Sequence, residues 1–487
     1  MKNLLLISSL FVFSFSAFAQ NAIKKPVTAN TNGYHINITY TPYKNCYLYL
    51  GSYFGNGKTL TDSAWIDAKG NGTFKGNKKL TGGIYFLVSP QMAIQFDFLI
   101  GKEQDFSIIA DSSNKENITI IGSHDNTLFK QYSAYTVKKG KSLTDLNTQY
   151  NAAKTKTDSV NLRNEIIKQN KELQDYRDNI IKQNPNSLLA ALLTAMKRPD
   201  APAIPIIKGK ADSTYPYRFV KEHFWDDVLF NDDRLLHTPF FEKKLDEYFK
   251  YYVFPEPDSL IKEIKIILLS ARTGKEMYPY LLTKFTNKYL NPEYMGQDKV
   301  FLYLFENFYA KGDTSFLNAQ SRKMIFERAY SLMANQLGNP APILDLTDTS
   351  GKNIALYSLQ GKFTMVVFWD PTCGHCKEEL PRVDSFYQNK WKPLGMKLYS
   401  VNVKDGTMDE LKKFVHEKKF SADWVYTYQT KAARDAEQTA GQPHFRQLYD
   451  ISKTPTLYLL DEDKRIIAKQ LSIEQFDDII NAKIKNK

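Results

Sequence analysis

Cysteine is scarce in this chain. Its 487 residues contain only Cys46, Cys373 and Cys376. Disulfide-stapled exported domains carry many more, so three cysteines cannot form the scaffold of a 56.1 kDa protein. Any bridge among them is chemistry rather than architecture. A second CxxC and an HxxxH pair are also missing. A structural zinc site needs four ligands; Cys373 and Cys376 supply two, and His375 between them cannot complete the set. His223 with Asp226 and Asp227 has no compact second ligand set and reads as a solvated helix face. No metal or other cofactor is expected. Low-complexity tracts are absent, and after the first residues no apolar run approaches the ~18 residues of a membrane span.

Charge is plentiful but not segregated. The formal net charge is +12, with 65 Lys and Arg against 53 Asp and Glu. The two signs are interleaved and no nucleic-acid motif accompanies them, so the excess describes a solvated basic surface rather than a nucleic-acid partner.

The chain opens with the short positive segment Met1-Lys2-Asn3, an apolar or small-residue run to Phe18, and the A-x-A signature Ala17-Phe18-Ala19. This is the pattern of a signal peptide cleaved to leave Gln20 first. No cysteine precedes Cys46, which disfavours a lipid anchor. The expected location is therefore the periplasm.

Length suggests two to four domains at roughly 150 residues each. After the leader (1–19), residues 20–125 carry β-branched or aromatic runs between Gly, Pro and Asn: "GYHINITYTP", "NCYLYLGSY", "GIYFLVS", "IQFDFLIG" and "NITIIG". They predict a β-sandwich-like domain, with "AKGNGTFKGN" as turn chemistry between strands. Cys46 lies within one run and reads as an inert filler. Residues 126–337 predict an all-α domain of unassigned function. Leu162, Ile166, Leu173, Tyr176 and Ile180 form a stripe on a charged helix, too few heptads for a coiled coil. Ser187 is a candidate N-cap for "SLLAALLTAMK", and "RPDAPAIP" reads as a stiff linker. Residues 338–487 alternate strand and helix, the pattern of an α/β domain.

Cys373 and Cys376 lie in that last region, in "VVFWDPTCGHCKEELPRV". A strand over 364–369 feeding a helix that begins near Cys373 sets its sulfur over unpaired backbone N–H groups, which favour thiolate. Cys373 could attack a disulfide, and Cys376, about one turn on, could resolve the product. His375 beside the pair could stabilise the thiolate and raise the potential.

The stretch "APILDLTDTSGKNIALYSLQGKFTMVVFWDPTCGHCKEELPRV", together with the later "YDISKTPTLYLLDED", resembles the TlpA/ResA-like thioredoxin-fold thiol–disulfide oxidoreductases over roughly the last 150 residues. The regions before it look like accessory domains of exported Bacteroidetes-type members. The resemblance implies a C-terminal thioredoxin fold, with Cys373 attacking and Cys376 resolving. Pro455 matches the cis-proline facing the disulfide, with Thr454 offering backbone to substrate. Trp369 matches the aromatic four residues before the first cysteine and is expected at the substrate site, or else in packing beneath it. Disulfide-bearing exported proteins are the implied partners, with a membrane thiol-electron carrier as electron source. Oligomeric state is left open.

Three departures qualify the match. Thr372 stands where thioredoxins usually have Trp. Val367 stands where they bury an Asp, so Glu378, Glu379 or water must take the proton of the resolving thiol. Pro455 follows Cys373 by 82 positions, with "DWVYTYQTKAARDAEQTAGQPHFRQLYD" as the insertion that TlpA/ResA-like proteins carry. "PTC" also resembles peroxiredoxins, but Asp370 occupies the place of their peroxide-binding Thr. The competing reading is a ligand- or protein-binding envelope protein in which the thioredoxin-like module is structural.

Overall fold

The computed structural model describes residues 33–110 and 117–485. The expected leader and its cleavage after Ala19 lie outside the described residues.

The first region is a sandwich. Its strands are β1 (Tyr34–Tyr40), β2 (Cys46–Phe54), β3 (Gly57–Ile66), β4 (Asn71–Gly76), β5 (Gly83–Val88), β6 (Ile94–Ile100), β7 (Asp105–Ala110) and β8 (Thr119–Ile121). One sheet runs β4-β1-β7-β8 and the other β3-β2-β5-β6. Alternate residues of each strand face inward, so Ile36, Ile38, Leu48, Leu50, Phe74, Leu87, Phe98 and Ile108 share one core between the sheets. The expected sandwich is present, with three strands that the apolar runs do not mark. β3 and β4 are rich in Gly, Thr, Ser and Asn and bury only alternate residues near their ends and middle, Ala64, Ile66 and Phe74. Part of "AKGNGTFKGN" is thus strand β4, paired antiparallel to β1. β7 pairs parallel to β1 through Phe106 and Ile108.

The central region is helical: α1 (His124–Ala152), α2 (Lys156–Gln183), α3 (Leu188–Ala195), α4 (Tyr215–His223), α5 (Phe241–Tyr251), α6 (Pro257–Ser270), α7 (Met277–Leu290), α8 (Asp298–Asn307) and α9 (Ala319–Met333). The α2 stripe packs within the chain against α1, where Tyr135 stacks on Tyr176 at 4.0 Å. Ser187 caps α3, its Oγ accepting from the Ala190 N–H at 3.0 Å. The region is not wholly α. After the proline-rich stretch come two-residue strands, β9 (Ile206–Ile207) and β10 (Lys210–Ala211). The intervening Lys208 and Gly209 have φ of 49° and 76°, the left-handed pair that a tight hairpin turn demands.

The last region forms a mixed sheet from β11 (Asp345–Asp348), β12 (Asn353–Ala355), β13 (Phe363–Trp369), β14 (Met396–Asn402), β15 (Val425–Tyr428), β16 (Thr456–Leu460) and β17 (Ile466–Lys469), in the order β12-β11-β15-β14-β13-β16-β17. β13, β14 and β15 are parallel; β16 runs antiparallel to β13, and β17 antiparallel to β16. Helices α10 (Gly374–Phe386), α11 (Met408–Glu417), α12 (Lys431–Thr439), α13 (Phe445–Leu448) and α14 (Ile473–Lys485) complete it. Every residue of β13 is buried, as expected of a strand covered on both faces. Met365, Val367 and Trp369 enter one core with Leu380 and Phe476; Val366 and Phe368 enter the other with Tyr449 and Tyr458.

This sheet is fastened to the helices by buried polar contacts. Lys469 Nζ donates to Asp298 Oδ2 at 2.6 Å and to the Asn335 carbonyl at 2.8 Å. Asn335 Nδ2 donates to the Leu448 carbonyl at 2.9 Å, and Arg328 pairs with Asp450.

Candidate active site

The end of β13 aims the chain at the cysteine pair. After Trp369, Asp370 organises a turn: its Oδ1 accepts from the Thr372 N–H and hydroxyl, both at 2.7 Å, and its carbonyl accepts from the Cys373 N–H at 3.1 Å. Lys404, from the loop after β14, donates to Thr372 Oγ1 at 2.6 Å. Cys373 then occupies the N-cap position of α10. The helix runs through Pro381.

The two thiols differ. Cys373 is half-buried and Cys376 is buried in the core beneath α10. The Cys376 backbone N–H, aided by that of His375, draws the Cys373 thiol below its ordinary range against the opposing effect of partial burial. This is the electrostatics of a helix start. Burial pushes the Cys376 thiol up to about 11, because the apolar surroundings penalise its charge. Cys373 is thus the more readily ionised of the two thiols.

Thr454 and Pro455 face this pair. The Thr454–Pro455 bond is cis, and the Cys373 sulfur lies 4.0 Å from the Thr454 carbonyl. Residues 81 positions apart in the sequence are therefore adjacent here. The His375 side chain is exposed, so its nearness to the sulfur is through its backbone N–H. The expectation that Trp369 contacts substrate is not met. It is fully buried, its indole N–H donates to Ser400 Oγ at 2.6 Å, and its ring leans on Phe414. It packs beneath the site because β13 turns that side chain into the core.

Val367 is fully buried. Glu378 is exposed, and Glu379 accepts from Arg382 at 2.7 and 2.9 Å. Cys46 begins β2 in the other sheet system, paired with Ile66. His223, the last residue of α4, bonds Asp226 at 2.6 Å, and Asp226 and Asp227 lie in the turn after α4 rather than on the expected helix face. Among the described residues no cluster of three or more His, Cys, Asp or Glu could hold a metal ion, and no helix is long and apolar enough to cross a membrane. The Asp370–Thr372–Lys404 network escaped the sequence reading, since nothing local in the sequence joins Lys404 to the cysteine motif.

Three stretches of the chain match known families. Residues 337–469 match the AhpC/TSA family profile, while residues 153–329 and 34–129 match two domains of unknown function, DUF5106 and DUF4369. Thiol-disulfide oxidoreductase ResA of Bacillus thuringiensis is 28% identical over 150 residues, which is 31% of this chain and 78% of the relative. ResA of Oceanobacillus iheyensis is 25% identical over 153 residues, 30% of this chain and 72% of the relative. The chain is a TlpA/ResA-like thioredoxin-fold thiol–disulfide oxidoreductase. Its extra mass lies N-terminal to that module. Among solved structures, a domain of a possible thiol-disulfide isomerase from Cytophaga hutchinsonii is 35% identical, covering 31% of this chain and 97% of that one, with a TM-score of 0.26. A thioredoxin-like protein from Bacteroides caccae is 20% identical, covering 59% of this chain and 99% of that one, with a TM-score of 0.44.

Proposed function

We propose that this oxidoreductase is exported and exchanges or reduces disulfides of envelope proteins through Cys373 and Cys376. The observation that carries this reading is the contrast within the pair: a half-buried Cys373 at a helix start, 4.0 Å from the Thr454 carbonyl, above a buried Cys376. Cys373 thiolate attacks one sulfur of a substrate disulfide. A mixed disulfide forms and the other substrate sulfur leaves as thiolate, taking up a proton. Cys376 then loses its proton and attacks Cys373 Sγ. The second substrate thiol is released and the Cys373–Cys376 disulfide remains. A dithiol donor, such as a membrane thiol-electron carrier, returns the two electrons by the same exchange chemistry.

Thr454 and Pro455 are assigned to substrate binding: an extended substrate segment alongside them would bring its disulfide to Cys373. The proton of Cys376 passes to water or to a carboxylate that moves toward it. The leader pattern supports export, and a mature N-terminus at or near Gln20, read by mass spectrometry, tests it; an intact Met1 in an integral-membrane fraction would count against it.

The direction of exchange is set by the potential of the pair. Equilibration in a glutathione redox series near about −270 mV marks a reductant, and about −180 to −120 mV an isomerase or oxidase. The Gly-His dipeptide, shared with protein disulfide isomerases, supports the more oxidising end. The deciding experiment is Cys376→Ser in cells. It should trap exported proteins on Cys373 as mixed disulfides that vanish on reduction. A variant that accumulates none, while the unsubstituted protein exchanges disulfides, would sink this assignment of roles.

A further inference from the structure

The insertion between the cysteines and Pro455 builds a cleft. It occupies about 910 Å³ at the carboxyl ends of β14 and β15, beside the turn that leads into Cys373. Asp370, which holds that turn, lines its inner edge. Crevices at the carboxyl ends of parallel strands are favoured ligand sites, and the volume is far larger than a single ion requires.

The charged lining is Lys404, Lys431, Arg434 and Arg446 against Asp370 and Asp405. Lys404 lies 3.6 Å from Asp370, and Arg434 pairs with Asp405. Those two cations are thereby offset within the cleft. Lys431 and Arg446 are not. The Lys431 partner, Asp435 at 2.6 Å, does not line the cleft. Arg446 donates to the Val403 carbonyl at 3.1 Å, a neutral acceptor. Both side chains are exposed, so an incoming carboxylate can recruit them with little desolvation cost. Lys431 also opens α12, whose Thr430 Oγ1 accepts only from the Ala433 N–H. The remaining N–H groups of that first turn add to the positive potential.

We propose that this cleft binds an acidic peptide segment of the disulfide substrate, flanking the cysteine that Cys373 attacks. This deepens the functional reading above and rests on it. Charge at an exposed rim acts mainly on encounter and register, so the preference belongs in KM rather than kcat.

The test uses the full chain and three synthetic disulfide peptides that differ only in acidic, neutral or basic flanks. At about 0.01 M ionic strength the acidic peptide should have a kcat/KM about tenfold above the basic one. The ratio should collapse toward one at about 0.5 M salt, where screening is strong. The double variant Lys431→Gln with Arg446→Gln should bring the ratio within about twofold, while Arg446→Lys alone retains most of it. Equal kcat/KM for the three peptides, or a full preference in the double variant, overturns the proposal. Turnover of all three peptides without preference overturns the cleft alone; no turnover of any peptide overturns the exchange reading with it.

Discussion

The last region and the two before it use polar groups differently. In the last region the polar groups surround a thiol and prepare it: backbone N–H groups at the start of α10, the Thr454 carbonyl, and Asp370 with Lys404 in the turn. In the sandwich and helices the buried polar groups act as joints. Asn126 ties α1 to β6 through the Leu99 N–H and carbonyl at 2.8 and 2.7 Å. Glu276 accepts from Thr81 at 2.7 Å and meets His237 at 2.7 Å, linking sandwich to helices. Asp125 accepts from the Leu188 N–H at 2.7 Å. The described contacts of these groups in the first two regions are with other elements of the fold, not with the cysteine pair.

The largest expected effect breaks the comparison at its centre. Cys373→Ser should reduce disulfide exchange to background, because the attacking sulfur is gone. Cys46→Ser should leave the rate unchanged, since Cys46 belongs to another sheet, where it pairs with Ile66 of β3. A comparable loss at Cys46, measured with the same small disulfide, would show that the sandwich takes part in the chemistry.

The next effect falls on a joint. Lys469 and Asp298 have side chains only 7% and 5% exposed. Asp298→Ala leaves the Lys469 ammonium buried without its carboxylate, and breaking such a pair costs about 3–5 kcal/mol. Thermal unfolding should move down accordingly. Chemistry should survive at temperatures where the variant remains folded, because the groups around Cys373 all belong to the last region. If unfolding is unchanged, the pair contributes nothing to docking, and the division between joints and chemistry weakens.

How far the sequence revealed these regions follows from how each is built. β13 is legible because both faces are covered, so its residues form an apolar run broken only by Thr364. Cys373, Cys376 and Pro455 are legible through their spacing and the resemblance it carries. β3 and β4 are not, because they sit at sheet edges and only a few inward positions need apolar side chains. Trp369 shows a different limit. Its place in the motif is readable, but whether it faces substrate or core depends on the pleat of β13. The joints are invisible in advance: Lys469 and Asp298 are 171 positions apart, and each alone looks like a surface charge.

A third prediction separates the two thiols by pH. Alkylation of Cys373, followed by mass spectrometry, should half-complete at a pH below that of an ordinary cysteine, because the thiolate is favoured. Cys376 should remain mostly thiol until about pH 11. Exchange should therefore rise with pH as Cys373 ionises and level off while Cys376 is still protonated. Simultaneous alkylation of both would erase the contrast between attacker and resolver.

The smallest expected effect concerns His375, where ring and backbone make different predictions. Nearby positive charge on the ring would favour thiolate, which is the expectation from the sequence. The structure leaves the ring exposed and brings the backbone N–H toward the sulfur. We expect the backbone to matter more. His375→Ala removes the ring but keeps the N–H. His375→Pro removes both, at a first-turn position where proline is tolerated. Losing thiolate stabilisation destabilises the reduced state, so the potential falls. If the N–H is worth ~1.4 kcal/mol, the fall for His375→Pro is about 30 mV, with a smaller shift for His375→Ala. Redox titration of both variants beside the unsubstituted protein decides the matter. Equal shifts would return the tuning to the ring, and no shift in either would remove position 375 from the determinants of the potential.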